Sequence, residues 1–242
     1  MNTMPGNTAA TAALIIPALN EEPVIGRTLA CVPRTLFSSI IVADNGSTDR
    51  TAELARAAGA TVVSEPERGY GAACLRALAA VPEGVEAVVF LQADCSEDPR
   101  EADRLLAPIL DGRADLVIGS RTLGGAEPGS LLPHQVFGNW LATTLIRWIY
   151  GFRYTDLGPF RAIRLEALRR LDMRDRNYGW TVEMQVRALQ HGLRILEIPV
   201  SYRPRAAGEN KVSGNLAASV RAGIKILWTV VRLAATARTS GR

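Results

Sequence analysis

The chain is poor in soft and nitrogen metal ligands. It has three cysteines, Cys31, Cys74 and Cys95, and two histidines, His134 and His191, in 242 residues. No CxxC pair occurs, so a zinc site is not expected. Reduced thiols in a cytoplasmic protein are the default. Cys95 has no visible histidine partner to activate it as a nucleophile. Long apolar runs are also missing, and no stretch is long enough and free enough of charge to span a bilayer. The N-terminus lacks a basic n-region, and Pro17 and Glu21 interrupt the apolar run that follows it, so a signal peptide is not expected. Residues 1–11 read as a small, polar, disordered terminus. Charge of one sign is not concentrated, since 28 Lys+Arg against 24 Asp+Glu leave a net +4. That mild excess suits an anionic ligand or a membrane surface. Without a basic block interleaved with aromatics, no nucleic-acid partner is expected.

What is present is alternation. Apolar runs predict strands over 12–17, 40–43, 60–64, 86–91 and 115–118. Helices are expected between them, over 24–32, 50–58, 69–80 and 99–110. This is the pattern of a largely parallel α/β sheet with helices on both faces. Such sheets bind ligands at the carboxyl ends of their strands. Three strands end there in polar loops: Pro17-Ala18-Leu19-Asn20-Glu21-Glu22, Asp44-Asn45-Gly46-Ser47-Thr48-Asp49 and Gln92-Ala93-Asp94-Cys95-Ser96. Each loop alone reads as a solvated turn or cap. Three on one rim read as a binding crevice. Asp94 has two readings at this point, as a turn former or as the holder of a divalent cation that neutralises a diphosphate.

The second half is less regular. Residues 124–133, rich in Gly and Pro, are a candidate lid. Residues 136–150 form an apolar helix that is either core or a surface meeting lipid. A short strand over 161–164, a helix over 180–191 and a strand over 193–202 follow, then a basic loop over 203–214. A helix over 215–235 places Leu216, Val220, Ile224, Leu227 and Val231 on one face. Arg221, Lys225, Arg232 and Trp228 form a separate stripe. Such a helix suits a membrane interface, and it equally suits a docked terminal helix with a solvated basic edge.

Taken in order, the motifs resemble the family 2 glycosyltransferases of the GT-A fold. They are Pro17 to Glu22, Asp44 to Asp49, Gly69-Tyr70-Gly71, Gln92-Ala93-Asp94, Gly119-Ser120-Arg121, Asp156 to Arg161, and Arg205 with Gly208-Glu209-Asn210-Lys211. The branch that looks nearest is that of polyprenyl- and dolichyl-phosphate mannosyl- and glucosyltransferases. The resemblance implies a GT-A domain over 12–214 and an amphipathic helix and tail over 215–242. It implies that Pro17, Ala18, Asn20, Glu21, Glu22, Asp44, Gly46 and Ser47 form the nucleotide pocket. Gly69 and Gly71 would let backbone approach the nucleotide. Gln92, Ala93 and Asp94 stand where the family has its Asp-x-Asp motif. Asp94 and Gln92 would hold Mg²⁺ or Mn²⁺, although Gln92 carries no charge where the family has an acid, which weakens the cation's hold. Arg205 and Lys211 resemble the basic pair over the donor diphosphate.

The implied reaction moves a hexose, with inversion, from a UDP- or GDP-sugar to a polyprenyl phosphate or similar acceptor. Arg121 and Arg161 would hold an acceptor phosphate. A hydroxyl acceptor would need a base, and Glu183 or Asp156 is the candidate. Many relatives in this branch carry transmembrane helices after the catalytic domain, so this chain is expected to be cytoplasmic and either to meet the membrane peripherally or to use a soluble acceptor. A nucleotidyltransferase lacks support, because no Gly- and Lys-rich loop follows the first strand. A dinucleotide-dependent oxidoreductase lacks the third glycine. The rival from another class is a non-catalytic sugar-nucleotide sensor or membrane scaffold, which Gln92 favours.

Overall fold

A computed structural model describes residues 11–207 and 216–240. The expected disorder of the N-terminus and the role given to Lys211 therefore lie outside the described residues, apart from Thr11. Seven strands form one sheet: β1 (Ala12–Ala18), β2 (Phe37–Asp44), β3 (Thr61–Ser64), β4 (Ala87–Phe90), β5 (Leu116–Ser120), β6 (Arg161–Arg164) and β7 (Ile195–Pro199). Their order is β3-β2-β1-β4-β6-β5-β7. All pairings are parallel except those of β6, which runs antiparallel to both β4 and β5.

The central strands are buried on both faces, which is why they read as unbroken apolar runs. Ala13, Ile15, Ile41, Val88 and Phe90 point into one core, where Trp180 packs edge-on to Phe90. Leu14, Ile16, Val42, Val89 and Leu91 point into the other, against Leu105 and Ile109. The helices are α1 (Ile25–Ala30), α2 (Thr51–Ala57), α3 (Tyr70–Leu78), α4 (Ala102–Leu110), α5 (Arg121–Gly124), α6 (Pro133–Tyr150), α7 (Leu165–Leu171), α8 (Trp180–Gln190) and α9 (Leu216–Ser240). Two of these were not expected from sequence, α5 and α7. The last strand is shorter than the 193–202 expectation. The loop between α5 and α6 is tied down where Glu127 N donates to Tyr202 O at 2.9 Å.

The two apolar helices of the second half depart from expectation. α6 buries only a narrow stripe of Ala142, Thr143 and Ile146, while Phe137, Trp140 and Trp148 are exposed. The apolar face expected of α9 is not the docked one. Val220, Ile224 and Val231 are exposed, and Ala222, Thr229, Val230 and Leu233 are buried against the domain. Two apolar stripes compete on this helix, and only packing against α6 and α8 selects between them. No helix among the described residues is long and apolar enough to cross a membrane.

Candidate active site

The carboxyl ends of β1, β2 and β4 lie side by side in register, with Ala18 opposite Asp44 and Ile15 opposite Phe90. A cavity of about 440 Å³ opens above them. Pro17, Ala18, Glu21, Gly69, Gln92, Ala93, Asp94, Arg121 and Arg205 line it, together with Asn45, Arg68, Tyr70, Asn177, Tyr178 and Tyr202, which sequence reasoning did not single out. Asn45 sat inside a quoted motif, and its role was hidden because its side chain bonds backbone 20 and 24 residues further along the chain. Its Nδ2 donates to Glu65 O at 3.0 Å, and its Oδ1 accepts from Gly69 N at 2.8 Å.

Other residues expected in the nucleotide pocket also build the loops that frame it. Asn20 N donates to Ser47 Oγ at 2.9 Å, and Asn20 Oδ1 accepts from Thr48 N at 2.8 Å. Glu22 Oε2 accepts from Arg50 N at 2.9 Å. Asp44 Oδ1 accepts from Ser47 N at 3.3 Å, across the left-handed Gly46. Gly69 and Gly71 are needed for a different neighbour than expected. A Cβ on either would collide with the backbone carbonyls of Arg176 and Asp175, so the close approach is by the chain's own 175–176 segment.

After β4 the chain turns sharply. Asp94 Oδ1 accepts from Ser96 N at 3.0 Å, Cys95 is left-handed at φ 61°, and Thr28 Oγ1 donates to Ala93 O at 2.7 Å. The turn-forming reading of Asp94 holds for Oδ1, which closes the turn, while Oδ2 faces Arg205 Nη1 at 3.3 Å. The same guanidinium contacts Glu21 through Nη2. Gln92 Oε1 is buried and has no hydrogen-bond partner among the described residues. An orphaned carbonyl oxygen beside a carboxylate in one cavity fits a hard divalent cation, with remaining positions open to diphosphate and water. Beneath Gln92 lies Glu97, 4% exposed, whose Oε2 accepts from Gln92 N at 2.9 Å. Burial pushes this carboxyl up to about 8, and the Asp94 charge adds to the rise while the Gln92 N–H, Arg121 and Arg161 oppose it.

Three expectations change on the acceptor side. Arg121 is in place, lining the cavity, with its guanidinium over the Tyr202 ring at 5.1 Å. Burial works against its charge, but Asp156 more than compensates and holds the guanidinium protonated. Asp156 accepts from Arg121 Nε at 2.8 Å and Nη2 at 2.7 Å, and also from Arg121 N at 2.8 Å. With both oxygens engaged on Arg121 and the side chain 1% exposed, it is the holder of an arginine and not a free base. Arg161 is 1% exposed and donates to the carbonyls of Leu157, Gly158 and Thr181, so it braces the loop and does not face an acceptor. Glu183 is fully buried; it accepts from Arg174 N, Asp175 N and Arg187 Nε, and it lines neither cavity. A base role falls away for it.

A second cavity of about 470 Å³ lies between α6 and α9. Its walls are mainly apolar, including Phe137, Leu141, Leu157, Ile226 and Leu227. It shares Tyr70, Gln92, Arg121, Gln135 and Tyr178 with the first cavity, so the two meet at Arg121.

Comparison with known proteins agrees with this geometry. The chain is 38% identical over 222 residues to an uncharacterized glycosyltransferase of Mycobacterium tuberculosis, covering 90% of this chain and 96% of that one. It is 31% identical over 238 residues to the undecaprenyl-phosphate mannosyltransferase of Micrococcus luteus, again covering 90% and 96%. Among solved structures, glucosyl-3-phosphoglycerate synthase from Mycobacterium tuberculosis, in complex with Mn²⁺ and UDP-glucose, superposes with a TM-score of 0.74 at 25% identity, covering 95% of this chain and 80% of that one. The fold is thus the GT-A fold. Residues 13–172 match the family described as Glycosyl transferase family 2, and with those relatives the match makes this chain a family 2 glycosyltransferase.

Proposed function

We propose that the chain transfers a hexose from a UDP- or GDP-sugar to a polyprenyl phosphate, or a closely similar phosphate acceptor, with inversion at the anomeric carbon. The observation that carries this reading is the meeting of a polar and an apolar cavity at Arg121. The polar cavity takes the nucleotide diphosphate. The apolar one takes the first isoprene units, with the acceptor phosphate at the junction.

An acceptor phosphate oxygen attacks the anomeric carbon, and the bond from that carbon to the donor's diphosphate oxygen breaks. The nucleoside diphosphate leaves from the opposite face. The acceptor is already ionised near neutral pH, so no strong base is required, consistent with the engaged state of Asp156 and Glu183. Arg121, oriented by Asp156, supplies a bidentate donor to the acceptor phosphate. Arg205 lines the polar cavity, and donor binding would move its guanidinium from Glu21 and Asp94 to the diphosphate. Asp94 and Gln92 would hold Mg²⁺ or Mn²⁺, which when bound offsets the charge growing on the leaving group.

The outer faces of α6 and α9 are the proposed contact with the membrane. Neither helix contains an acid, and together they expose Phe137, Trp140, Trp148, Ile224 and Trp228 beside Arg221 and Arg232. Such a surface suits anionic lipid headgroups. Lys225, expected in the same basic stripe, is already engaged by Asp175.

The test is incubation with UDP- and GDP-sugars and polyprenyl phosphate, with and without Mn²⁺, reading glycolipid by extraction and its anomeric configuration by NMR. A glycolipid of inverted configuration is expected. Donor binding with neither glycolipid nor donor hydrolysis would overturn the proposal in favour of the sensor reading.

A further inference from the structure

Residues 174–179, between α7 and α8, form a strap along one wall of the donor cavity. Asn177 and Tyr178 line that cavity next to Gly69 and Tyr70. The strap is pressed onto the start of α3, where Ala72 N donates to Arg176 O at 2.9 Å. Only glycine fits at 69 and 71 beneath it. Its conformation is held from behind by two buried carboxylates. Glu183 Oε2 accepts from Arg174 N at 3.1 Å and Asp175 N at 2.6 Å. Asp175 Oδ1 accepts from Asn177 N at 2.8 Å and Gly179 N at 3.1 Å. The remaining oxygen of Asp175 takes Lys225 Nζ of α9 at 3.0 Å, and the Asp175 side chain is 1% exposed.

From this geometry we infer that Lys225 is a positioning residue for the donor half of the site, acting through Asp175 on Asn177 and Tyr178. The inference rests on the reading of this cavity as the sugar-nucleotide site. Lys225 lies beyond the 13–172 stretch that matches the family, as do Asp175 and the strap. A buried carboxylate that loses its only cationic partner among the described residues must rehydrate or take up a proton, and either change loosens the turn it organises. Gly179 is packed so closely against Asp175 and Thr229 that it has no room for a Cβ, so α9 and the strap move together. The helix that carries the proposed membrane face is therefore tied directly to the nucleotide pocket. Seating of α9 and donor affinity should be linked, with each favouring the other.

The experiment uses the full chain as wild type, K225M, K225R and R56M, Arg56 being an exposed residue of α2. UDP and GDP binding is measured by calorimetry, steady-state kinetics with the preferred sugar nucleotide follow, and amide hydrogen exchange is read across 174–179. K225M should weaken nucleotide binding and raise the donor KM about fivefold, with kcat changed less than about twofold. It should also speed exchange at the Asn177 and Gly179 amides. K225R should restore both, and R56M should change neither. Wild-type protein that binds no nucleotide would sink the functional reading, while the exchange data would still report on the strap. Wild-type protein that binds, with K225M binding equally well and exchanging equally slowly, would overturn the role of Lys225. A fall in kcat and melting temperature that K225R does not rescue would also overturn it.

Discussion

Glu21 and Asp94 come from the ends of different strands, yet they grip the same guanidinium, that of Arg205. The contact joins the nucleotide half of the site to the Asp-x-Asp position before any donor arrives. On the proposed reading Asp94 is also shared, since the divalent cation would approach the carboxylate that Arg205 already contacts.

Replacing Asp94 by Asn should therefore remove both partners at once. We expect kcat/KM to fall by about 10² or more, because the group that leaves loses electrostatic support in a largely buried site. Mn²⁺ binding followed by electron paramagnetic resonance should be lost in the same variant. Unchanged turnover would remove Asp94 from the mechanism.

The acceptor side should respond to Arg121. R121K keeps the charge but loses the forked geometry, so the acceptor KM should rise about tenfold while the donor KM holds. R121A leaves the Asp156 carboxylate buried without its partner and should destabilise the fold by about 3 kcal/mol. D156N together with R121A should recover part of that loss in a denaturant titration.

A pH effect on stability is expected away from the site. The hydrogen bonds of Arg194 hold Asp115 down at about 2, with burial opposing and the Arg164 charge assisting. A carboxylate depressed in the folded state stabilises above its unfolded pKa, near 3.8, and that contribution is lost as pH falls towards about 2. Between those values the melting temperature should fall more steeply for wild type than for R194A.

The exposed faces of α6 and α9 predict binding to vesicles of anionic lipid. Wild-type protein should float with phosphatidylglycerol vesicles and show a blue shift in tryptophan emission. Substituting Phe137, Trp140 and Trp228 by Ser together should abolish flotation, and R221Q with R232Q should weaken it in a salt-dependent way. Self-association of the wild type with no vesicle binding would mean that this face meets another copy instead.

Much of this site was legible in the sequence because strand ends advertise themselves. The apolar runs before Asp44 and Asp94 placed both acids on one rim, where the structure also has them. Charged residues turned inwards were not legible. Asp156 is partnered by Arg121, 35 residues away, and Arg161 and Glu183 largely by backbone carbonyls and amides, and residue type alone does not distinguish these from exposed catalytic groups. The second apolar cavity was hidden for a similar reason, since its walls come from two helices whose facing stripes are decided only on packing. The orientation of β6 was equally silent, because four residues with an arginine at each end carry no directional signal.

That reversed strand has a geometric consequence. Because β6 is inserted between β4 and β5, the strands that precede the Asp94 and Arg121 loops lie two strand spacings apart in the sheet, about 9.6 Å. On the proposed reading, the sheet thereby sets the spacing between the loops that would hold the departing and the incoming phosphate.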